Sequence, residues 1–347
     1  MMPRQQNRRR LQVWPLFALL LCLSSSLVCE AGSFAITLSA HASQEMIQQA
    51  LDRLPQGGEV VLPPGTYEIK RPIMLRYDHL TLRGSGSNTV LHLAAHANCP
   101  VVILGAPVEW SQRTTKHLRL ADLVIDGNRT NQQVELWRNA IDGSQLNNNG
   151  IDVWNVDDSA IERVVCRGCR SGGLVTAIVR RLDVQDFTAY DNQFDGLACY
   201  QTEDSHFSGL NLYNNLAAGI SLDLSFAHNV IDQAKLTGND LGIFMRSSHN
   251  NTFQDVTIDK SRKHGVFMAQ TSEPTPKGWQ LSPGTECTGN QFQELTVTNS
   301  GGDAFLVNDN SCKDNVIRSH RFKGNIHGGL AEPSDKLVQI EELAVVR

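Results

Sequence analysis

The sequence has no excess of positive charge and few long apolar runs. It contains 31 Lys and Arg residues against 36 Asp and Glu residues, a formal net charge of −5. A nucleic-acid-binding protein needs a basic patch to neutralise phosphates, so this balance argues against nucleic acid as a partner. After residue 31 no stretch is long and apolar enough to span a bilayer, which predicts no transmembrane segment in the mature chain.

A strict repeat organises the middle of the chain. Six glycines recur at steps of 23 residues, namely Gly150, Gly173, Gly196, Gly219, Gly242 and Gly265. A fixed period of this size is typical of a solenoid. An apolar residue directly follows each glycine, and the third position is apolar in every repeat except at Thr176. This period of two predicts strands with one buried face. No helical period intervenes and the leucine-rich-repeat phrase is absent, so the pattern predicts an all-β parallel β-helix.

Several phrases resemble the right-handed parallel β-helix proteins of the pectate-lyase-like superfamily. They are the Gly-Ile/Leu-x-Val/Leu opening of each repeat, the segment 62–67 (Leu-Pro-Pro-Gly-Thr-Tyr), and Asn-x-Phe/Ile at Asn251, Asn290 and Asn315. The resemblance implies one right-handed β-helix domain over 32–347, with about 23 residues per coil and regular coils at about 150–270. It also implies a polysaccharide partner, because the superfamily contains polysaccharide lyases, hydrolases and epimerases together with non-catalytic members.

One amphipathic helix is predicted, between Ser43 and Leu54. Its apolar residues fall on one face, and Ser43 suits the N-cap position. A β-helix has an open apolar end that must be covered, so this helix is interpreted as an N-terminal cap. The predicted apolar face comprises Met46, Ile47, Ala50, Leu51 and Leu54.

Residues 1–31 have the features of a secretory signal peptide. A basic start at Arg4 and 8–10 precedes a short apolar core at 16–23, and Ala31 offers a small residue for cleavage. We therefore expect a secreted or periplasmic protein. A lipoprotein anchored through Cys29 is the less favoured alternative, because Val28 is bulky for the preceding site.

Six of the eight cysteines lie beyond the leader, in a chain expected to enter an oxidising compartment. Cys287 and Cys312 each precede an Asn-x-apolar phrase by three residues, so stacking of the phrases would stack the cysteines. Adjacent coils are about 4.8 Å apart, which suits a disulfide, and we predict a Cys287–Cys312 bond. Cys199 points inward and is predicted to be a buried free thiol. The Cys166-x-x-Cys169 pair is interpreted as turn residues or a disulfide.

Three stretches interrupt the regular pitch, at 105–117, 127–149 and 271–289. Inserted loops of a solenoid often lie on its binding side. The second ends before the Gly150 strand and the third begins after the Gly265 strand, so both border the post-glycine sheet. They contribute Trp137 and Trp279.

Outward-pointing residues of the post-glycine strands form two rows. The second-position row is Asp152, Val175, Ala198, Ser221, Phe244 and Phe267. The fourth-position row is Trp154, Ala177, Tyr200, Asp223, Arg246 and Ala269. Tyr200, Asp223 and Arg246 should therefore lie on three successive coils, roughly 5 Å apart. The alternative interpretation is a solvated ladder with a surface Asp–Arg pair, which would contribute little.

This trio predicts chemistry on a uronic-acid-containing glycan. Arg246 could hold the carboxylate through its planar fork, and Tyr200 could donate or accept a proton. Asp223 could orient Arg246, and His228 is a candidate base. The predicted substrate-binding residues are Asp152, Trp154, Phe244, Phe267, Trp137 and Trp279.

Three functions remain open from the sequence. A lyase or epimerase is the first, and a glycoside hydrolase using Asp223 with Glu203 or Asp204 is the second. A non-catalytic carbohydrate-binding or structural protein is the third. The Asp-Asp, Gly-His-Gly and Arg-x-Lys set of polygalacturonases and the Asp-Pro-His-Asp/Glu motif of mannuronan epimerases are absent. Asp223 lacks an acidic neighbour in its row, so calcium is not supported and no cofactor or metal is predicted. We expect a monomer.

Overall fold

A computed structural model of the protein describes residues 34–106, 113–138, 145–270, 286–334 and 336–341. Within these ranges the chain winds into a right-handed parallel β-helix of about 11 coils, which confirms the predicted fold. The predicted leader at 1–31 lies outside the described residues. No helix in the described ranges is long and apolar enough to cross a membrane.

The N-terminal third of the described chain contains one helix and short strands. The elements are β1 (Ala35–Thr37), α1 (Gln44–Asp52), β2 (Gly58–Val61), β3 (Gly65–Ile69), β4 (Ile73–Leu75), β5 (Leu80–Arg83), β6 (Thr89–Leu93), β7 (Val102–Gly105), β8 (Thr115–Lys116) and β9 (Arg119–Asp126). A 3-10 helix (Arg129–Asn131) and an antiparallel hairpin, β10 (Leu136–Arg138) with β11 (Gln145–Asn147), follow inside the predicted second insertion.

The helix α1 caps the solenoid as predicted. The Ser43 hydroxyl accepts a hydrogen bond from the Met46 backbone N–H at 3.4 Å, which satisfies one otherwise unpaired donor of the first turn. Ile47 and Leu51 are completely buried against the first strands. Met46, predicted on the same apolar face, is instead 46% exposed, because it lies on the solvent side of the first helical turn.

From residue 151 onward the strands range from 2 to 17 residues and all pair in parallel. They are β12 (Ile151–Arg167), β13 (Leu174–Gln185), β14 (Thr188–Tyr190), β15 (Leu197–Glu203), β16 (His206–Tyr213), β17 (Ala218–Asp223), β18 (Phe226–Ala227), β19 (Val230–Thr237), β20 (Leu241–Arg246), β21 (Ser248–His249), β22 (Thr252–Asp259), β23 (Val266–Ala269), β24 (Gln291–Thr298), β25 (Asp303–Val307), β26 (Asn315–Lys323), β27 (Gly328–Ala331) and β28 (Val338–Glu341).

We call the sheet formed after the repeated glycines the front sheet. It contains β4, β7, the first residues of β12, β13 and β15, and then β17, β20, β23, β25 and β27. The register advances one 23-residue repeat per coil, so Ile151 lies beside Leu174 and Leu174 beside Leu197. Stacked apolar side chains from every coil fill one continuous core.

Five successive coils leave the front sheet through a corner residue with positive φ. These corner residues are Asn155, Ile178, Gln201, Leu224 and Ser247, with φ of 53°, 57°, 43°, 51° and 42°. The left-handed conformation bends the strand without ending it, and it turns the next residues into a second sheet. We call this second sheet the side sheet; it includes Val156–Asp157, Val179–Arg180, Thr202–Glu203, β18 and β21.

Two ladders of buried asparagines run along the solenoid. Asn192 and Asn215 are one 23-residue step apart in the sequence, which predicts that their side chains stack at a turn. Asn192 donates to Asn215 at 2.9 Å and Asn215 donates to Asn239 at 3.0 Å, which confirms this ladder. A second ladder joins Asn229, Asn251, Asn290 and Asn315 with amide contacts of 2.9 to 3.2 Å. The side chains also bind backbone groups at the turns, so buried polar atoms there are satisfied.

The predicted insertions are described only in part. In the first, β8 (Thr115–Lys116) pairs with β12, so regular structure resumes before the predicted end at residue 117. Most of the third lies outside the described residues, although Thr288 forms a β-bridge with His249. The side chain of Trp137 and all of Trp279 also lie outside the described residues, so their predicted binding roles stay predictions.

Candidate functional site

The front-sheet register places the predicted trio on three successive coils. Tyr200 pairs with Asp223, and Leu222 pairs with Met245, which sets Asp223 beside Arg246. All three residues lie just before the corner into the side sheet. The strands bring them there because the 23-residue repeat is unbroken across these coils.

Asp223 and Arg246 form a direct ion pair. The Arg246 Nη2 donates to Asp223 Oδ2, and the other Asp223 oxygen accepts the Leu224 backbone N–H at 2.8 Å. The Asp223 side chain is only 5% exposed, while Arg246 remains 24% exposed. A pair buried to this degree is not the solvated surface pair considered as the alternative. Removing one partner would leave an uncompensated buried charge.

Tyr200 lies in an environment that keeps its hydroxyl protonated. Burial raises the pKa of the phenol, and the negative charges of Asp195 and Asp223 raise it further. Tyr200 therefore retains its proton at neutral pH.

Asp195 was not predicted from the sequence. Its carboxylate accepts the Ala218 backbone N–H of the next coil at 2.8 Å. Burial nevertheless raises its pKa to about 7. A carboxyl group with this pKa can exchange a proton at neutral pH. The sequence feature that could have identified it is its position directly before Gly196, one of the repeated glycines. This position belongs to neither of the two outward-pointing rows.

Asp152 lies below the protein surface. It is 1% exposed, and its carboxylate accepts the Asn149 side-chain N–H at 2.7 Å. Burial raises the pKa of Asp152 to about 7, partly offset by hydrogen bonding from Asn149 and Trp154. Trp154 is partly buried two residues along the same strand. Substrate contact by Asp152 and Trp154 stays a prediction.

Glu203 and His228 lie beyond the corner residues. Glu203 belongs to the side sheet, with its carboxylate 3.9 Å from Nε of Arg180. Asp204 contacts the same arginine at 3.1 Å. His228 has φ of 58° at the following corner, is exposed, and lies 3.4 Å from the Asn250 amide. Their contacts within the described residues therefore differ from those of the trio, and their catalytic roles stay predictions.

Phe244 and Phe267 form an apolar strip on the front sheet. Their rings are nearly parallel, at 10°, with centroids 5.7 Å apart. The Arg246 guanidinium carbon lies 5.2 Å from the Phe244 centroid, a cation–π contact. The aromatic row and the charged pair therefore adjoin each other.

Cys287 and Cys312 stack on adjacent coils, as the sequence predicted. The Cys287 backbone N–H points at the Cys312 sulfur, with the nitrogen 3.4 Å away. Both cysteines are free thiols in this structure, so the disulfide stays a prediction. Cys199 is completely buried and free, as expected. No group of three or more His, Cys, Asp or Glu residues within the described ranges is arranged to hold a metal ion.

Three solved structures share the fold at low sequence identity. The A-module of mannuronan C-5 epimerase AlgE6 from Azotobacter vinelandii matches with a TM-score of 0.57 and 15% identity, over 87% of this chain and 95% of that one. The catalytic domain of a GH87 α-1,3-glucanase in complex with nigerose gives 0.68 and 15%, over 88% and 57%. The enzymatically active domain of bacteriophage CBA120 tailspike protein 2 gives 0.60 and 12%, over 87% and 47%.

Comparison with curated proteins gives no match. A family model described as rhamnogalacturonase A/epimerase, pectate lyase-like, matches residues 39–266, and a right-handed β-helix region model matches residues 224–340. Because the first model spans more than half of the chain, the protein belongs to the pectate-lyase-like family of β-helix proteins that this model describes.

Proposed function

We propose that the protein is an exported lyase or epimerase that acts on a uronic-acid-containing polysaccharide at the front sheet. The observation that carries the proposal is the Asp223–Arg246 pair. It presents a partly exposed guanidinium beside a protonated tyrosine on a polysaccharide-processing fold. The planar fork of arginine suits a carboxylate, which a uronate carries next to the carbon that loses its proton.

Each residue has a distinct role in the proposed reaction. Arg246 binds the uronate carboxylate and stabilises the charge that develops when the adjacent proton leaves. Asp195, with a pKa of about 7, accepts that proton. Tyr200 donates a proton either to the departing glycosidic oxygen, giving a double bond, or to the opposite face of the same carbon, giving the epimer. Asp223 fixes the guanidinium.

A glycoside hydrolase is the second candidate, and the two carboxyl groups whose charges act on Tyr200, those of Asp195 and Asp223, favour it. Asp195 has a raised pKa, as a general acid needs, whereas Asp223 forms an ion pair with Arg246. This pair replaces the Asp223–Glu203 and Asp223–Asp204 pairs considered from the sequence, because both of those partners contact Arg180.

The test is an activity screen of the purified protein on uronate-containing and neutral polysaccharides. Ultraviolet absorbance detects the double bond, new reducing ends detect chain cleavage, and deuterium uptake from heavy water detects epimerisation. We expect absorbance or deuterium uptake that falls by at least about a hundredfold in Arg246→Lys, which keeps the charge but loses the fork.

Arg180→Lys is the matched control. Arg180 also contacts acids of the next coil, but it lies on the side sheet and is exposed, so activity should be unchanged. Reducing ends without absorbance, lost in Asp195→Asn, would select the hydrolase. Inactivity in all three assays over the whole panel would contradict both enzymatic proposals.

A further inference from the structure

A second polar cluster lies at the opposite edge of the front sheet. His264, Asp303 and His327 come from three successive coils, at the start of β23, β25 and β27. The Asp303 carboxylate lies 3.3 Å from Nδ1 of His264 and 3.9 Å from Nδ1 of His327. The proposed reaction uses none of these residues.

The His264 ring is held in a fixed orientation. Its Nδ1 accepts the Asp303 backbone N–H at 3.1 Å, so Nε2 is the ring nitrogen that faces away from Asp303. Gly302 packs directly against the ring: a Cβ at this position would lie 2.7 Å from the ring Cε1 and Nδ1. Only glycine leaves room for the imidazole here, and the site is therefore pre-organised.

The cluster adjoins the apolar strip. The His264 ring centroid lies 6.1 Å from that of Phe267, which lies beside Phe244 and then Arg246. Side-chain contacts therefore connect the charged pair at one edge of the front sheet to the imidazole and carboxylate at the other edge.

We propose that His264, Asp303 and Phe267 form a binding subsite for a neutral sugar unit of the glycan. Phe267 offers apolar surface to the C–H groups of a sugar ring, the Asp303 carboxylate accepts sugar hydroxyl protons, and the imidazole Nε2–H donates to a hydroxyl oxygen. The negative charge of Asp303 disfavours a uronate carboxylate at this position, in contrast to Arg246. The subsite rests on the proposed function for its glycan partner.

The groups around the subsite define its charge state. Burial lowers the pKa of His264, Asp303 opposes this change, and the charges of His327 and Lys263 add to the lowering. His264 is therefore predominantly neutral at pH 7, with one proton to donate. His327 is 62% exposed and lies at the rim.

The test is calorimetric binding at pH 7 to neutral hexose hexasaccharides (β-1,4-glucan, α-1,3-glucan and β-1,4-mannan) and to a uronate hexasaccharide. We expect at least one neutral oligosaccharide to bind, and both His264→Ala and Asp303→Asn to weaken it about tenfold, as the loss of one good hydrogen bond predicts. Gly302→Ala should give the same loss by displacing the ring. Arg246→Lys should weaken only the uronate ligand.

His206→Ala is the matched control, because His206 also lies between two aspartates, Asp183 and Asp232, but on another sheet. Circular dichroism verifies that each variant is folded. Absence of neutral binding in the wild type, or equal affinities in His264→Ala and His206→Ala, would overturn the subsite. Neutral binding that depends on Asp303, together with an inactive protein, would refute the proposed reaction and leave the subsite standing.

Discussion

Single residues of the front sheet show how burial turns ordinary carboxyl groups into distinct chemical groups. Asp223 is buried against Arg246. Asp152 is buried and Asp195 is partly buried, neither forms an ion pair with a cation among the described residues, and both have pKa values of about 7. Desolvation disfavours the charged form, and only a partner charge compensates for it. Asp152 and Asp195 are therefore partly protonated at neutral pH, whereas Asp223 is paired with a guanidinium.

Asp152 should make the protein less stable as the pH rises. Its pKa is higher in the folded than in the unfolded state, so its stabilising contribution is complete below about pH 4 and is lost as the pH rises through 7. At about 1.4 kcal/mol per pKa unit, the wild type should lose about 3 kcal/mol between pH 5 and pH 8 through this group. In urea unfolding over the same pH range, the free energy of unfolding of Asp152→Asn should fall by about 3 kcal/mol less than that of the wild type.

The exposed Asp255 provides the control for this experiment, because asparagine also suits its positive φ of 50°. Asp255→Asn should keep the pH dependence of the wild type. An unchanged pH dependence in Asp152→Asn would show that Asp152 is not the titrating group.

The sequence predicted some residues of the site and not others, for a geometric reason. Tyr200, Asp223 and Arg246 follow from counting within a strand, because the repeat is unbroken there. Glu203 lies only three residues beyond Tyr200, but the positive φ of Gln201 turns it into another sheet. Asp195 was missed because it precedes its glycine, where alternation no longer tells which way a side chain points.

At the level of elements, the asparagine ladders are what connects one turn to the next. The side-chain oxygen of Asn290 accepts hydrogen bonds from the backbone and side-chain N–H groups of Asn251. Its side-chain N–H groups donate to the Ser248 carbonyl and to the Asn315 side-chain oxygen. Strand pairing fixes the flat faces of the solenoid, whereas the ladder fixes the corners. The 23-residue step between Asn192 and Asn215 predicted one ladder. The second ladder was not predicted, because Asn229 follows Ser205, its partner on the preceding coil, by 24 residues instead of 23.

Asn290→Ala should destabilise the protein strongly. The Ser248 carbonyl and the Asn251 backbone N–H would lose their partners while buried, at a cost of about 1–3 kcal/mol each. We expect chemical denaturation to show a loss of about 2 to 6 kcal/mol in the free energy of unfolding. Asn211→Ala, at an exposed strand position, should change stability by less than about 0.5 kcal/mol. Equal effects in the two variants would exclude a structural role for the ladder.

At the scale of the whole molecule, a single core and one continuous set of strands run from the α1 cap to β28. The repeat alone predicted this architecture, since a coil cannot bury its own apolar face and needs a neighbour on each side. The expected monomeric state and the export of the chain stay predictions.

If the protein is exported, oxidation should join Cys287 to Cys312. The two residues already meet across adjacent coils, and closing the loop between them should stabilise the protein by about 3 kcal/mol. Mass spectrometry should find Cys287 and Cys312 unalkylated in the secreted protein and alkylated after reduction. The reduced protein should also have a lower Tm. Cys199, buried and alone in its row, should stay a free thiol in both samples. Two free thiols at 287 and 312 in the secreted protein would refute the bond.

The 23-residue register turns the front sheet into a molecular ruler. Each coil adds one position about 4.8 Å farther along the surface, close to the length of one sugar unit. An in-frame duplication of a repeat between Arg246 and His264 would move the two proposed contact points apart by the rise of one coil while keeping every strand paired. Evolution could thus change the spacing of sugars that this surface measures without redesigning the fold, by copying a segment of the gene.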